Sequence, residues 1–380
     1  MSSHPLISVC IPTYNHGKYI KETIVSVLSQ DFQDLEIVIT DDCSTDDTVD
    51  VVRSVADDRI RLYRLDRNMG PSVAANNNIT HAKGEFICLL PSDDLFEPNK
   101  ISRQLDEFRR TPEAGAVFSR MRFIDEEGKP LERDTTAIPR FKGLCREPVL
   151  RHFFHEGNCL AAPTAMIRRE VLHRLGPVDP RLLQTQDFEL WIRLCLLFEV
   201  SMVDETLVAY RIRARQANMD ANTPDKLARI YWELPRILEI FLSWTDRDLF
   251  LRVFPEAKLH LDRGLGLRSA LALMALQSPA SWTRSFGIEA LYRELGDPAA
   301  VDALGRSGYH FPDFFRLLAE VDPTRAKALE DITQRLISAR DWAQSQADAW
   351  EAQAGELEVK YQEAIRPKGL VHWLRTRLGV

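Results

Sequence analysis

Three sets of acidic side chains have the spacing to do chemistry. Asp93 and Asp94 follow residues 86–90, an apolar run bounded by Gly84 and Pro91, which is the signature of a strand buried on both faces. Adjacent carboxylates at the end of such a strand can hold a hard divalent cation, Mg²⁺ or Mn²⁺, and through it a diphosphate. The same pair can equally open a turn and cap the helix after Pro98. Asp41 and Asp42 end a second apolar run, 35–40. Asp187 stands in the first turn of a helix marked by Leu190, Trp191, Leu194, Leu197 and Phe198. Taken alone, that is a charge favoured by the helix dipole.

The elements that must position these groups alternate. Residues 6–11 read as a strand, ended by Pro12-Thr13-Tyr14-Asn15, and 18–28 as a helix with Ile20, Ile24, Val27 and Leu28 on one face. A strand at 35–40 leads to a helix capped by Ser44 or Thr45. A third strand at 60–65 precedes the break Asn68-Met69-Gly70-Pro71 and a helix over 72–81. Such alternation predicts an α/β fold with a mostly parallel sheet and right-handed crossovers. Ligands in open α/β sheets collect at the carboxyl ends of the strands. Tyr14, Asp42 and Asp93/Asp94 are therefore expected along one edge, which favours a ligand site over an isolated turn.

Four segments then follow in order: Val9-Cys10-Ile11-Pro12-Thr13-Tyr14-Asn15, Ile39 to Asp46, Asn68-Met69-Gly70, and Gly84-Glu85-Phe86 running to Ser92-Asp93-Asp94. Together they resemble the N-terminal half of family 2 inverting glycosyltransferases of the GT-A fold, a Rossmann-related sheet flanked by helices. The resemblance implies a nucleotide-diphosphate sugar donor, most often a UDP-sugar, and Mn²⁺ or Mg²⁺. Carried over by position, Pro12, Tyr14 and Asp42 line the base pocket, Tyr14 stacking and Asp42 accepting from the ring N–H. Asn15, Asn68, Asn76 and Arg211 join the donor-binding set. Asp93 meets the ribose or the metal, and Asp94 coordinates the metal. Gln186-Asp187-Phe188-Glu189-Leu190-Trp191 resembles the family segment whose Asp is the catalytic base. Three positions depart from the pattern: Pro91 and Gln186 replace acids, and Ala75 stands where many members carry Arg. Arg213 takes a place where relatives often have His.

Inversion is a single displacement at the anomeric carbon, so one carboxylate that removes the acceptor's proton suffices. A metal on the far side neutralises the departing diphosphate. Two flanking carboxylates would instead describe a glycosidase.

The division expected along the 380 residues is a nucleotide-sugar-binding half over 1–110 and an acceptor-binding, catalytic half over 111–220. A helical appendage over 221–322, a long helix or coiled coil over 323–365 and a basic amphipathic tail over 366–380 complete it. Apolar residues at 45% and charged residues at 28% suit a globular chain. A net charge of −7 argues against nucleic acid as a partner. The expected partners are the donor and a hydroxyl of a glycan or lipid-linked saccharide. Six scattered cysteines without a CxxC pair, and no apolar run of membrane-span length, point to the cytoplasm or the inner face of the cell membrane. The Ala-rich long helix suits a homo-oligomer or docking on the body, and the basic tail an anionic membrane or a protein surface. The rival reading is a nucleotide-sugar-binding scaffold that partners another transferase without catalysis.

Overall fold

The computed structural model describes residues 4–132, 140–213 and 223–321, with four further helical positions between 334 and 340. The chain forms two compact units, Met1–Thr324 and Arg325–Val380. The expected coiled coil and basic tail fall outside the described residues, apart from those four positions.

The first half reads β1 (Ile7–Thr13), α1 (Ile20–Leu28), β2 (Leu35–Asp41), α2 (Thr48–Arg53), β3 (Ile60–Arg64), α3 (Pro71–His81) and β4 (Phe86–Leu89). Next come β5 (Leu95–Phe96), α4 (Lys100–Arg110), β6 (Ala114–Ile124), β7 (Pro130–Leu131), β8 (Gly143–Leu144) and α5 (Arg146–His155). The unit continues through β9 (Met166–Arg168), α6 (Arg169–Leu175), α7 (Gln186–Leu197) and β10 (Glu199–Arg211). Helices follow: α8 (Pro224–Leu238), α9 (Arg247–Val253), α10 (Lys258–Asp262), α11 (Leu267–Leu276), α12 (Ser281–Glu294), α13 (Pro298–Arg306) and α14 (Phe311–Glu320).

Among the described residues the strands form one ten-stranded sheet, eight in the order β3-β2-β1-β4-β9-β6-β10-β5, with β7 added on β6 and β8 on β10. β3, β2, β1 and β4 are mutually parallel, as strand-helix alternation demands. Beyond β4 the sheet is mixed: β9 is antiparallel to both β4 and β6, while β6 and β10 are parallel. The fold is thus α/β, with parallel pairing concentrated in its first half.

Alternation along β1 splits the core. Ile7, Val9 and Ile11 face α1 and α4, whereas Cys10 faces the other layer. That second layer is continuous from α5 and α7 into the C-terminal helices. Phe154 of α5 stands edge-on to Phe241, Phe254 and Phe286, at 5.5, 5.0 and 6.2 Å between ring centroids. α8 runs through Pro235 to Leu238. No helix among the described residues is long and apolar enough to cross a membrane.

Candidate donor and base site

β1 and β2 end side by side, and the amide of Asp42 extends their pairing by donating to the carbonyl of Thr13 at 2.8 Å. Each carboxylate oxygen of Asp42 accepts one backbone amide of the loop before α3: Oδ1 from Met69 at 2.7 Å and Oδ2 from Gly70 at 2.8 Å. An ionised carboxylate has about four acceptor sites, so each oxygen keeps capacity for a ligand N–H. Tyr14 is 42% exposed beside it, an aromatic face open for stacking. Pro12 is half-buried, and Asn68 lies exposed in the loop whose amides Asp42 gathers.

Two amides expected in the donor-binding set also bond within the protein. Asn15 adopts φ 53°, a left-handed conformation that Asn tolerates, and its Oδ1 accepts from the Thr45 amide at 2.8 Å. Asn76 faces Val178, donating from Nδ2 to the carbonyl at 2.8 Å and accepting the amide at 2.9 Å.

β1's other neighbour, β4, delivers Asp93 and Asp94, which are 5% and 1% exposed. Arg211, the last residue of β10, organises them. Its amide donates to Asp94 Oδ1 and its Nε to the Asp93 carbonyl, both at 2.8 Å. The rest of its guanidinium reaches the carbonyls of Asp125 (3.1 Å) and Glu126 (2.9 Å) and Glu22 Oε2 (2.6 Å), with no solvent exposure. These hydrogen bonds go to protein, so Arg211 shapes the carboxylate turn from behind.

The cation that faces the turn is Arg213. Its Nε lies 3.1 Å from Asp93 Oδ2, and its guanidinium meets His16 Nε2 at 2.8 Å. Burial, the largest influence, holds the His16 imidazole below its usual pKa. A guanidinium can only donate. Nε2 of the neutral ring therefore accepts, and Nδ1–H donates to Ser92 Oγ at 2.7 Å. Neither His16 nor this relay carries a motif, because its members lie in three distant segments.

No group of three or more His, Cys, Asp and Glu side chains among the described residues could hold a metal ion by itself. Mg²⁺-like ions are commonly held by one or two carboxylates and completed by substrate phosphates. Asp93 and Asp94 fit a cation shared with a diphosphate.

Asp187 lies half-buried in the first turn of α7, where Phe188, Trp191 and Cys195 anchor the helix in the core. Its Oδ1 accepts the Phe188 amide at 2.7 Å, and Asn158 approaches Oδ2 at 3.4 Å. Trp191 fixes the helix further by donating from Nε1 to the carbonyl of Leu160 at 3.1 Å. The turn before α7 is tied to the helix bearing the Asp42 loop: Ser72 Oγ donates to the Leu182 carbonyl at 3.3 Å. From the other side Glu233 of α8 accepts the amides of Leu183, Gln184 and Thr185. Glu233 stood out in no pattern, being one polar residue in an amphipathic helix.

An open α/β sheet with carboxylates at its strand ends and an acid heading a neighbouring helix is an arrangement that collects a ligand at one edge of the sheet. Residues 8–176 match the model of glycosyl transferase family 2. The putative teichuronic acid biosynthesis glycosyltransferase TuaG of Bacillus subtilis is 30% identical over 245 residues, 63% of this chain and 92% of that protein. An uncharacterized glycosyltransferase of Methanocaldococcus jannaschii is 28% identical over 233 residues, 60% of this chain and 78% of its own. The chain belongs to glycosyltransferase family 2. The fold is shared with S. aureus TarS 1-349 in complex with UDP-GlcNAc (TM-score 0.55, 19% identity, 87% of this chain and 91% of that one). It is shared likewise with the mannosyltransferase PcManGT from Pyrobaculum calidifontis in complex with GDP-Man and Mn²⁺ (0.53, 18%, 87% and 85%).

Proposed function

We propose that this family 2 glycosyltransferase moves a sugar, with inversion, from a nucleotide-diphosphate sugar to a hydroxyl of a glycan or lipid-linked saccharide. One observation carries the reading: neighbouring parallel strands β1, β2 and β4 bring Tyr14, Asp42 and Asp93/Asp94 to a single edge. The Tyr14 ring stacks on the base, while Asp42 accepts a base N–H from within its fixed amide cage. A UDP-sugar is the favoured donor.

Asp93 and Asp94 would hold Mn²⁺ or Mg²⁺ together with the diphosphate, and the bound ion would neutralise charge on the leaving group. Arg213 adds a permanent positive charge beside Asp93, suited to the same oxygens. Asp187 takes the acceptor's proton as that oxygen attacks the anomeric carbon. Its place in the first turn of α7 suits a carboxylate, because the helix dipole favours negative charge there.

The test is thermal stabilisation by UDP-, GDP-, dTDP- and CMP-sugars with and without Mn²⁺, since a ligand that binds only the folded chain raises its melting temperature. A shift for one nucleotide class that grows with Mn²⁺ is expected, together with slow Mn²⁺-dependent donor hydrolysis that Asp187→Asn abolishes without weakening donor binding. Binding without turnover in the wild-type chain would favour the non-catalytic scaffold, and no shift at all would sink the donor site.

A further inference from the structure

Glu233 is 4% exposed, yet it belongs to α8, the first helix after the last strand of the sheet. Burying an ionised carboxylate is unfavourable unless donors surround it. Here four do: Leu183 N on Oε1 at 3.0 Å, and Gln184 N, Thr185 N and Thr185 Oγ1 on Oε2 at 3.0, 2.9 and 2.8 Å. Three consecutive amides converging on one anion make a backbone nest. The nest sits at the positive end of the α7 dipole, where a negative charge is favoured.

We infer that Glu233 is the positioning residue for Asp187, so that the C-terminal helices set the geometry of the transfer step. The inference rests on the reading of Asp187 as the base. Thr185, which Glu233 holds through both its amide and its hydroxyl, is the N-cap of α7, and Asp187 follows two residues later. The same stretch is secured opposite by Ser72 to Leu182 and by Asn76 to Val178. Residues 178–185 are thus strung between α3, whose leading loop carries the Asp42 amides, and α8. A one-residue slip in where α7 starts would turn a first-turn side chain by about 100° around the helix axis. Phe188 and Trp191 hold the body of α7 in the core without Glu233, so releasing the clamp loosens the first turn and leaves the helix in place.

The experiment uses the full chain and Glu233→Gln, which keeps the shape but turns one acceptor into a donor facing the amides. The substrate is whichever of UDP-glucose, UDP-N-acetylglucosamine and GDP-mannose stabilises the wild type in Mn²⁺, with hydrolysis as the reaction. The variant is expected to lose on the order of 10- to 100-fold in kcat, the cost of a displaced catalytic group, with KM nearly unchanged. Amide exchange over residues 183–187 should quicken by about 10-fold while β1 and α3 keep their protection. Unchanged kcat, unchanged exchange at 183–187, or parallel loss of kcat, KM and melting temperature would each overturn the inference. Should Glu233→Gln fail to fold, Thr185→Val removes one of the four bonds, and a kcat equal to wild type there would overturn it too. Asp187→Asn, run alongside, separates the two readings. Full activity in that variant sinks the base, whereas an inactive one beside a fully active Glu233→Gln sinks only the positioning role.

Discussion

Replacing Arg211 by Met would keep the aliphatic stem and delete four donated hydrogen bonds, to Asp93 O, Asp125 O, Glu126 O and Glu22 Oε2. A hydrogen bond to a charged group is worth about 1.5–3 kcal/mol, but the four do not count equally. Glu22 is 53% exposed, so its share is that of a surface pair, about 1 kcal/mol or less. The carbonyls of Asp125 and Glu126 belong to a polar turn and can turn to water. The carbonyl of Asp93 is enclosed and bears the larger cost. The total expected is about 3–5 kcal/mol, the range for breaking a buried charged arrangement. At about 2 °C per kcal/mol, the lower end for large domains, melting should fall by roughly 6–10 °C, read by calorimetry, with a matching loss in urea titration. Arg211→Lys should do nearly as badly, because one ammonium cannot span acceptors on α1, the Asp93 turn and the Asp125 turn together. A shift below about 3 °C in either variant would refute the account of Arg211 as the clamp of the carboxylate turn.

Three further outcomes are expected. Asp42→Ala leaves the Met69 and Gly70 amides without their acceptor and should weaken binding of the preferred nucleotide by about 1–3 kcal/mol in titration calorimetry; unchanged affinity would remove Asp42 from the donor site. Burial depresses the His16 pKa below its ordinary 6.5. The unfolded chain therefore binds that proton first, and stability conferred by the neutral ring is lost as pH falls below 6.5 towards the folded-state value. His16→Asn should accordingly show a smaller drop in melting temperature between pH 7.5 and pH 5.5 than the wild type. Gly84→Ala would place a methyl group 2.5 Å from the Ser8 nitrogen. Forcing β4 and β1 apart there should cost about 1–3 kcal/mol, and a neutral result in urea unfolding would contradict the tight approach.

Much of the first half could be read in advance, for reasons that belong to particular strands. The runs at 35–40 and 86–90 are buried at nearly every position because helices cover both faces of their strands, and the structure places β2 and β4 there. Between Asp125 and Lys129 the chain turns where Gly128 supplies φ 82°. β9 was not legible, being three residues that act as strand only because β4 and β6 lie on either side. Nor was Arg211, since Tyr210-Arg211 carries nothing that distinguishes a guanidinium meeting phosphate from one meeting main-chain oxygens. That distinction depends on loops from three other segments. The backbone bonds of Asn15 and Asn76 were hidden for the same reason: Asn serves a ligand or a neighbouring backbone equally well. Glu233 needs contacts across about fifty residues of chain, which no periodicity encodes.

The shared aromatic layer also sets an order of events during synthesis. Phe154 and its neighbours on α5 and α7 leave the ribosome well before Phe241, Phe254 and Phe286, the rings that cover them. At translation rates of about 5–20 residues per second, the nascent first half displays that apolar face for on the order of ten seconds. Through that interval the sheet can pair its strands but cannot close its second layer. The growing chain therefore offers a hydrophobic surface to chaperones, or to a neighbouring nascent chain, until its last helices arrive.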